Sequence, residues 1–310
     1  MPYIIHRNRR IFFEERGDGA PLLLIHGVAV SHKMWAPQLA VLARSYRVIA
    51  PDLRGAGKSS GLSWQSRVAD LVADLIALLD RLAIEQVAVC GLSFGGVVAQ
   101  ELVLRYPERC AMLVLVDTFS ELRPGISQEG ALWLATWLGV PLFLMPKRWM
   151  LARMKESYGK WPVACRCLTA EIPKIRGMEA VKMRWMMRGL RLTPRLAAIH
   201  CPCLGIVGGN TALGIALMRR VIEAIPGAKL RVVPHAFDPT SLCQPAIFNR
   251  LVDEFLAPWQ ERWAARSSER FLRKISARAR NRQSICRSRW EPSFITLGVG
   301  QRNAKDGAER

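Results

Sequence analysis

Short, continuous apolar runs alternate with longer stretches of helical period along most of this chain. Residues 22–25, 46–50, 86–90, 111–116 and 203–207 are rich in Leu, Ile, Val and Ala with little polar alternation. That is the pattern of strands covered on both faces of a parallel sheet. Residues 229–233 predict a further strand, and residues 3–6 and 10–14 predict an opening hairpin. Helices are predicted over residues 37–44, 67–82, 97–106, 213–225 and 245–256, where apolar positions recur at three and four. The alternation implies an α/β fold, a mainly parallel central sheet with helices on both faces.

Between residues 119 and 194 the rhythm breaks. This stretch holds five of the ten tryptophans, with Met145, Met150, Met154, Met178, Met183, Met186 and Met187. Large, adaptable apolar side chains on an inserted helical segment suit a lid over an apolar pocket. Arg184 and Arg188 read as solvated charges of that lid, with a lesser reading as contacts to a substrate carboxylate. The expected organisation is a core of residues 1–118 and 195–257, a helical lid of residues 119–194, and a basic tail of residues 258–310.

Composition narrows the function classes. A chain of 310 residues, half of them hydrophobic, buries a sizeable core. The most apolar stretch, residues 131–145, is shorter than a membrane span needs and contains Pro141. The N-terminus lacks the long apolar region of a secretory signal, so a cytoplasmic protein without a membrane partner is expected. The formal charge of +20 points toward anionic partners, but thirteen Lys and Arg and only five Asp and Glu fall within residues 259–310. That tail shows no clear period after Phe271, and a disordered extension is preferred to a nucleic-acid arm. The eight cysteines are scattered. Cys165-Arg166-Cys167 and Cys201-Pro202-Cys203 lack the spacing and the histidines of a zinc site, so no metal is expected. Gly57-Lys58-Ser59 is not the end of a phosphate loop, because the glycine required five positions earlier is Asp52.

The chemistry centres on Gly91-Leu92-Ser93-Phe94-Gly95, a G-x-S-x-G between a predicted strand and a predicted helix. A turn that tight lifts the Ser93 hydroxyl above the sheet at a helix N-terminus, where the dipole and the Phe94 N–H favour developing negative charge. With His26-Gly27 followed by Trp35, the loop of residues 52–59, Gly91 to Gly96 and Arg105-Tyr106-Pro107-Glu108-Arg109, residues 3–257 resemble the α/β-hydrolase fold superfamily. The nearest branch is similar to 3-oxoadipate enol-lactonases and related esterases. The resemblance implies Ser93 as nucleophile, the backbone N–H groups of Val28 and Phe94 as oxyanion hole, and His26, Gly27, Gly91 and Gly95 as supporting residues. It implies no cofactor and a small, mainly apolar ester or lactone as substrate.

The acid and base positions depart from the family pattern. Thr211 stands where the carboxylate is expected after residues 203–207, and Pro234-His235-Ala236-Phe237-Asp238-Pro239 places Asp238 at the histidine position in an ungapped comparison. His235 is the only histidine on the expected loop and, three residues early, is the candidate base. Asp117, ending residues 111–116, is the candidate acid, with a turn cap as its bland alternative; Asp238 is the second candidate acid. The reading is therefore a serine hydrolase, and its alternative a catalytically impaired relative that binds a hydrophobic ligand or partner.

Overall fold

The structure, a computed structural model, describes residues 2–122 and 128–288. One sheet of eight strands organises the molecule. Its members are β1 (Tyr3–His6), β2 (Arg9–Arg16), β3 (Ala20–Ile25), β4 (Tyr46–Pro51), β5 (Val87–Leu92), β6 (Cys110–Val116), β9 (Cys203–Gly208) and β10 (Lys229–Val233); β7 (Glu121–Leu122) and β8 (Leu190–Arg191) pair separately. The order is β1-β2-β4-β3-β5-β6-β9-β10. β1 and β2 pair antiparallel, β2 joins β4 antiparallel, and every later pairing is parallel.

Period-two burial explains the two core layers. Along β3, Leu23 and Ile25 enter the core on one face, and Leu22 and Leu24 the core on the other. β5 repeats this with Val87 and Val89 against Ala88 and Cys90. All four β3 side chains are fully buried, each favouring the folded state by about 1.5–3 kcal/mol. Helix α2 (Val68–Arg81) covers one face through Leu71, Val72, Leu75, Leu78 and Leu79. Its buried Asp74 is held by the Arg54 guanidinium and by His6 Nδ1 at 2.8 Å, so that charge is paired. α1 (Ala36–Leu42) belongs to the opposite face. α3 (Phe94–Arg105) follows β5 directly, and almost every residue of its first three turns is buried.

The insertion begins and ends at one point, because β7 and β8 pair antiparallel through Glu121 with Arg191 and Leu122 with Leu190. Between them lie α4 (Gln128–Leu138), α5 (Lys147–Tyr158), α6 (Pro162–Glu171) and α7 (Gly177–Met186). After β8 come β9, α8 (Ala212–Glu223), β10, the short α9 (Thr240–Cys243) and α10 (Pro245–Ser288).

α10 continues past residue 257, where the sequence places the end of the core. Phe248, Val252, Leu256 and Trp259 form one buried stripe at helical spacing, Trp263 packs on it, and Trp259 Nε1 donates to the Pro21 carbonyl at 3.2 Å. The compact unit therefore runs to Ala264 despite Pro258 within the helix. In the second unit the backbone is helical through Ser288; residues 289–310 of the predicted tail lie outside the described residues. Among the described residues no helix is long and apolar enough to cross a membrane, and no cluster of His, Cys, Asp and Glu could hold a metal ion.

Candidate active site

Five loops converge at the C-terminal edge of the parallel strands, following β3, β5, β6, β9 and β10. In open parallel sheets this edge is where ligands are bound. Ser93 follows β5 directly with φ 53° and ψ −118°, a strained backbone for a serine, and α3 starts at the next residue. Its N–H donates to the Val116 carbonyl at 2.8 Å, and its own carbonyl accepts from Thr118 Oγ1 at 2.6 Å. The turn tolerates no side chains at its glycines. A Cβ on Gly91 would meet the Gly95 carbonyl oxygen at 2.4 Å, and one on Gly95 would meet the Ile25 carbonyl oxygen at 2.2 Å.

Ser93 lines a cavity of about 430 Å³ together with Gly27, Val28, Leu92 and Phe94. The insertion supplies most of the opposite wall, including Leu132, Phe143, Met150, Met154, Leu168 and Met187. Phe94 occupies the first turn of α3, whose N–H groups have no intrahelical acceptor. The residues expected to form an oxyanion hole thus border the same space as the hydroxyl.

His26 is wholly buried and both ring nitrogens are engaged. Nδ1 lies 2.7 Å from the Gly27 carbonyl, and Nε2 accepts the Leu53 N–H at 3.0 Å, an assignment that makes Nδ1 the protonated nitrogen. Burial lowers its proton affinity, so the ring is a neutral brace between the loops after β3 and β4. Asp52 braces the same region, accepting from the His32 N–H at 2.8 Å and the Lys58 N–H at 2.8 Å. Burial pushes the Asp52 carboxyl up, but hydrogen bonding from His32 and the nearby His26 outweigh it and hold the carboxyl below its usual range.

The structure does not bring His235 to Ser93. Its ring is exposed and does not line the cavity. The loop is clamped in that state: the His235 carbonyl accepts Trp161 Nε1 at 2.8 Å, Ala236 is fully buried, and the Asn210 N–H holds the Ala236 carbonyl at 3.0 Å. Phe237 stacks on Trp161 with ring centroids 6.4 Å apart. Swinging the imidazole inward would require these ties to break.

Asp238 lines the cavity instead. Tyr158 donates its hydroxyl to the Asp238 backbone carbonyl. Behind it, Asp117 follows β6 with φ 44° and accepts the Thr240 N–H at 2.6 Å, the Thr240 hydroxyl at 2.8 Å and the Gly208 N–H at 3.1 Å. Burial pushes the Asp117 carboxyl up to about 6 against the opposing pull of these donors. Burial, and then the Asp117 charge, push Asp238 well above the carboxylate range. Thr211, at the expected acid position, is the N-cap of α8 and accepts the Gly214 N–H at 3.1 Å.

The raised carboxyls fix the sign of a stability effect. Each binds its proton more tightly in the folded chain than in the unfolded one, so each contribution is complete below about pH 4 and is lost as pH rises, through about 6 for Asp117 and through its own raised value for Asp238. Melting temperature measured against pH is expected to drop less steeply between pH 5 and pH 7.5 in Asp238→Asn than in the wild type.

Arg184 corrects the solvated reading. It lines the cavity, donates Nη1 to the Thr136 carbonyl at 2.9 Å and lies 4.9 Å from the Phe143 ring centroid, while its buried Nε has no partner. Arg188 stays exposed, stacked 4.0 Å over Trp185.

Sheet order, elbow and cavity together define a hydrolase-type α/β architecture, and comparison with known proteins agrees. Residues 20–146 match the family model described as alpha/beta hydrolase fold. The protein of Variovorax paradoxus named "Putative carbamate hydrolase RutD" is 30% identical over 252 residues, spanning 77% of this chain and 92% of that protein. The chain belongs to the α/β hydrolase fold family. Among solved structures, a hydrolase from Pseudomonas aeruginosa PA01 is 26% identical with a TM-score of 0.71, covering 82% of this chain and 97% of that one. A thermophilic esterase from Thermogutta terrifontis is also 26% identical, with a TM-score of 0.70, covering 81% and 94%. The enol-lactonase of Burkholderia xenovorans LB400, 22% identical with a TM-score of 0.72 over 83% and 100%, shares the fold.

Proposed function

We propose that this protein hydrolyses a small, mainly apolar carboxylic ester or lactone through an acyl-enzyme on Ser93. The observation that carries the reading is the strained Ser93 backbone at the edge of a mostly apolar cavity that Val28 and Phe94 also border. Attack by the hydroxyl creates an oxyanion, and each well-placed N–H donor is worth about 3 kcal/mol to that charge. The insertion acts as the lid, excluding water while the acyl group is held. Esterase and lactonase neighbours support this substrate class, and the carbamate hydrolase names suit the same acyl-transfer chemistry.

The test is a rapid-mixing assay with p-nitrophenyl butyrate. A burst of nitrophenol matching the enzyme concentration, and a butyryl mass on the Ser93 peptide, are expected. Turnover with no acyl mass on that peptide contradicts the reading.

A second reading, ligand binding without turnover, is favoured by the absence of any imidazole among the described residues that line the cavity. It requires a lactone to raise the melting temperature with no product formed.

Arg184 adds a preference within either reading. A ligand carboxylate in the cavity can meet the Arg184 guanidinium that lines it, so Arg184→Met is expected to weaken an ester bearing a distal carboxylate about tenfold and its neutral methyl ester hardly at all. Competition assays on the two ligands check this.

A further inference from the structure

Ser93 needs a proton acceptor, and the described cavity wall supplies few. Its ionisable side chains are Tyr158, Glu171, Arg184 and Asp238. Arg184 is a cation. The Tyr158 hydroxyl is committed to the Asp238 carbonyl and becomes harder to ionise through burial. Glu171 is buried and occupied on both oxygens, by the Ser31 hydroxyl and by Lys174 Nζ at 3.0 Å. Among the histidines, His26 is engaged at both nitrogens, His32 Nδ1 is bound to Asp52 at 2.7 Å, His6 is bound to Asp74, and His235 faces outward. That leaves Asp238, which lines the cavity and whose carboxyl accepts no hydrogen bond among the described residues.

We propose that Asp238 accepts the Ser93 proton, with Asp117 as the positioning residue that fixes its loop, making the site a serine–carboxylate centre. The proposal rests on Ser93 being the nucleophile and names the base that this nucleophile uses. In acylation the Ser93 O–H bond breaks, its proton passes to the Asp238 carboxylate directly or through one water, and the oxygen bonds the substrate carbonyl carbon. The carbonyl electron pair moves onto the oxygen facing the Val28 and Phe94 N–H groups. Collapse restores the carbonyl and breaks the bond to the leaving alkoxide, which takes the proton back from Asp238. Water then repeats the sequence on the acyl-enzyme, releasing the acid and restoring the Ser93 hydroxyl.

The surroundings give this base a recognisable pH signature. The groups facing Asp238 are Asp117 from β6, Tyr158 from α5 and Cys243 from α9, with no cation among them. Asp117 receives three donors and keeps the first negative charge, so Asp238 ionises last and at higher pH than an ordinary carboxyl. A base of raised proton affinity is also the stronger base once ionised.

The experiment measures the rate of Ser93 labelling by a fluorophosphonate between pH 5 and pH 9.5, in proteins whose melting temperatures verify folding. In the wild type the rate is expected to rise with pH and level off once Asp238 is ionised. Asp238→Asn is expected to lose about 10²-fold at the plateau, and Asp238→Glu to recover part of it. Asp117→Asn, which removes the repelling charge, is expected to move the rise to lower pH, a shift that a purely structural role for Asp117 would not produce. His235→Ala is expected to keep the wild-type rate and profile. Wild-type behaviour in Asp238→Asn, or loss in His235→Ala, overturns the proposal. No labelling in the wild type but labelling in Asp238→His overturns Asp238 as base and preserves Ser93 as nucleophile. No labelling in either removes both.

Discussion

Asp238→His is expected to raise the rate of Ser93 acylation at pH 7 by about 10²-fold, the lower end of what a positioned imidazole base supplies. The scaffold for that ring already exists. Asp117 lies behind position 238, fixed by Thr240 and Gly208, and its charge is felt at that position. In the wild type that charge opposes ionisation of a second carboxyl; against an imidazole it stabilises the cation formed when Ser93 gives up its proton. At pH 7 an unperturbed imidazole is mostly in its basic form, whereas burial and the Asp117 charge make Asp238 hold its proton more tightly than an ordinary carboxyl. Hydrolysis of p-nitrophenyl butyrate by the purified variant checks this, and a rate no higher than wild type would mean that position 238 does not reach the hydroxyl.

Ser93→Ala is the second large effect. Removing the hydroxyl abolishes the acyl-enzyme, so the burst and the labelled peptide are expected to disappear altogether. The fold should survive, since the hydrogen bonds given for Ser93 run through its backbone, to Val116 and Thr118. Residual hydrolysis over water, from the oxyanion donors and binding alone, can still reach about 10³-fold. The steady-state rate is therefore a poorer discriminator than the covalent mass. An acyl mass persisting in Ser93→Ala would assign the nucleophile elsewhere.

Much of this was legible in the residues. Continuous apolar runs such as Leu22 to Ile25 mark strands buried on both faces, and strand, G-x-S-x-G and helix in succession leave few alternatives to a nucleophile turn. The departures at Thr211 and Asp238 were equally visible, because they are identities at fixed spacing.

What the sequence concealed was direction. His235 is on the right loop, but whether its ring faces the cavity depends on Trp161, more than seventy positions away, and on Ala236 being pulled into the core. Arg184 reads as one more charge on a polar helix until Phe143 and Thr136 of the insertion enclose it. α10 continues past residue 257 with Trp259 tied across the fold to the Pro21 carbonyl and buried in one cluster with Trp35, information absent from local period.

Peptide mapping of the full-length protein after incubation with a fluorophosphonate at pH 9 puts the central claim to its most direct trial. One adduct per chain, on the peptide carrying Ser93 and lost in Ser93→Ala, is the expected result. An unmodified protein, or an adduct that survives the substitution, would contradict it.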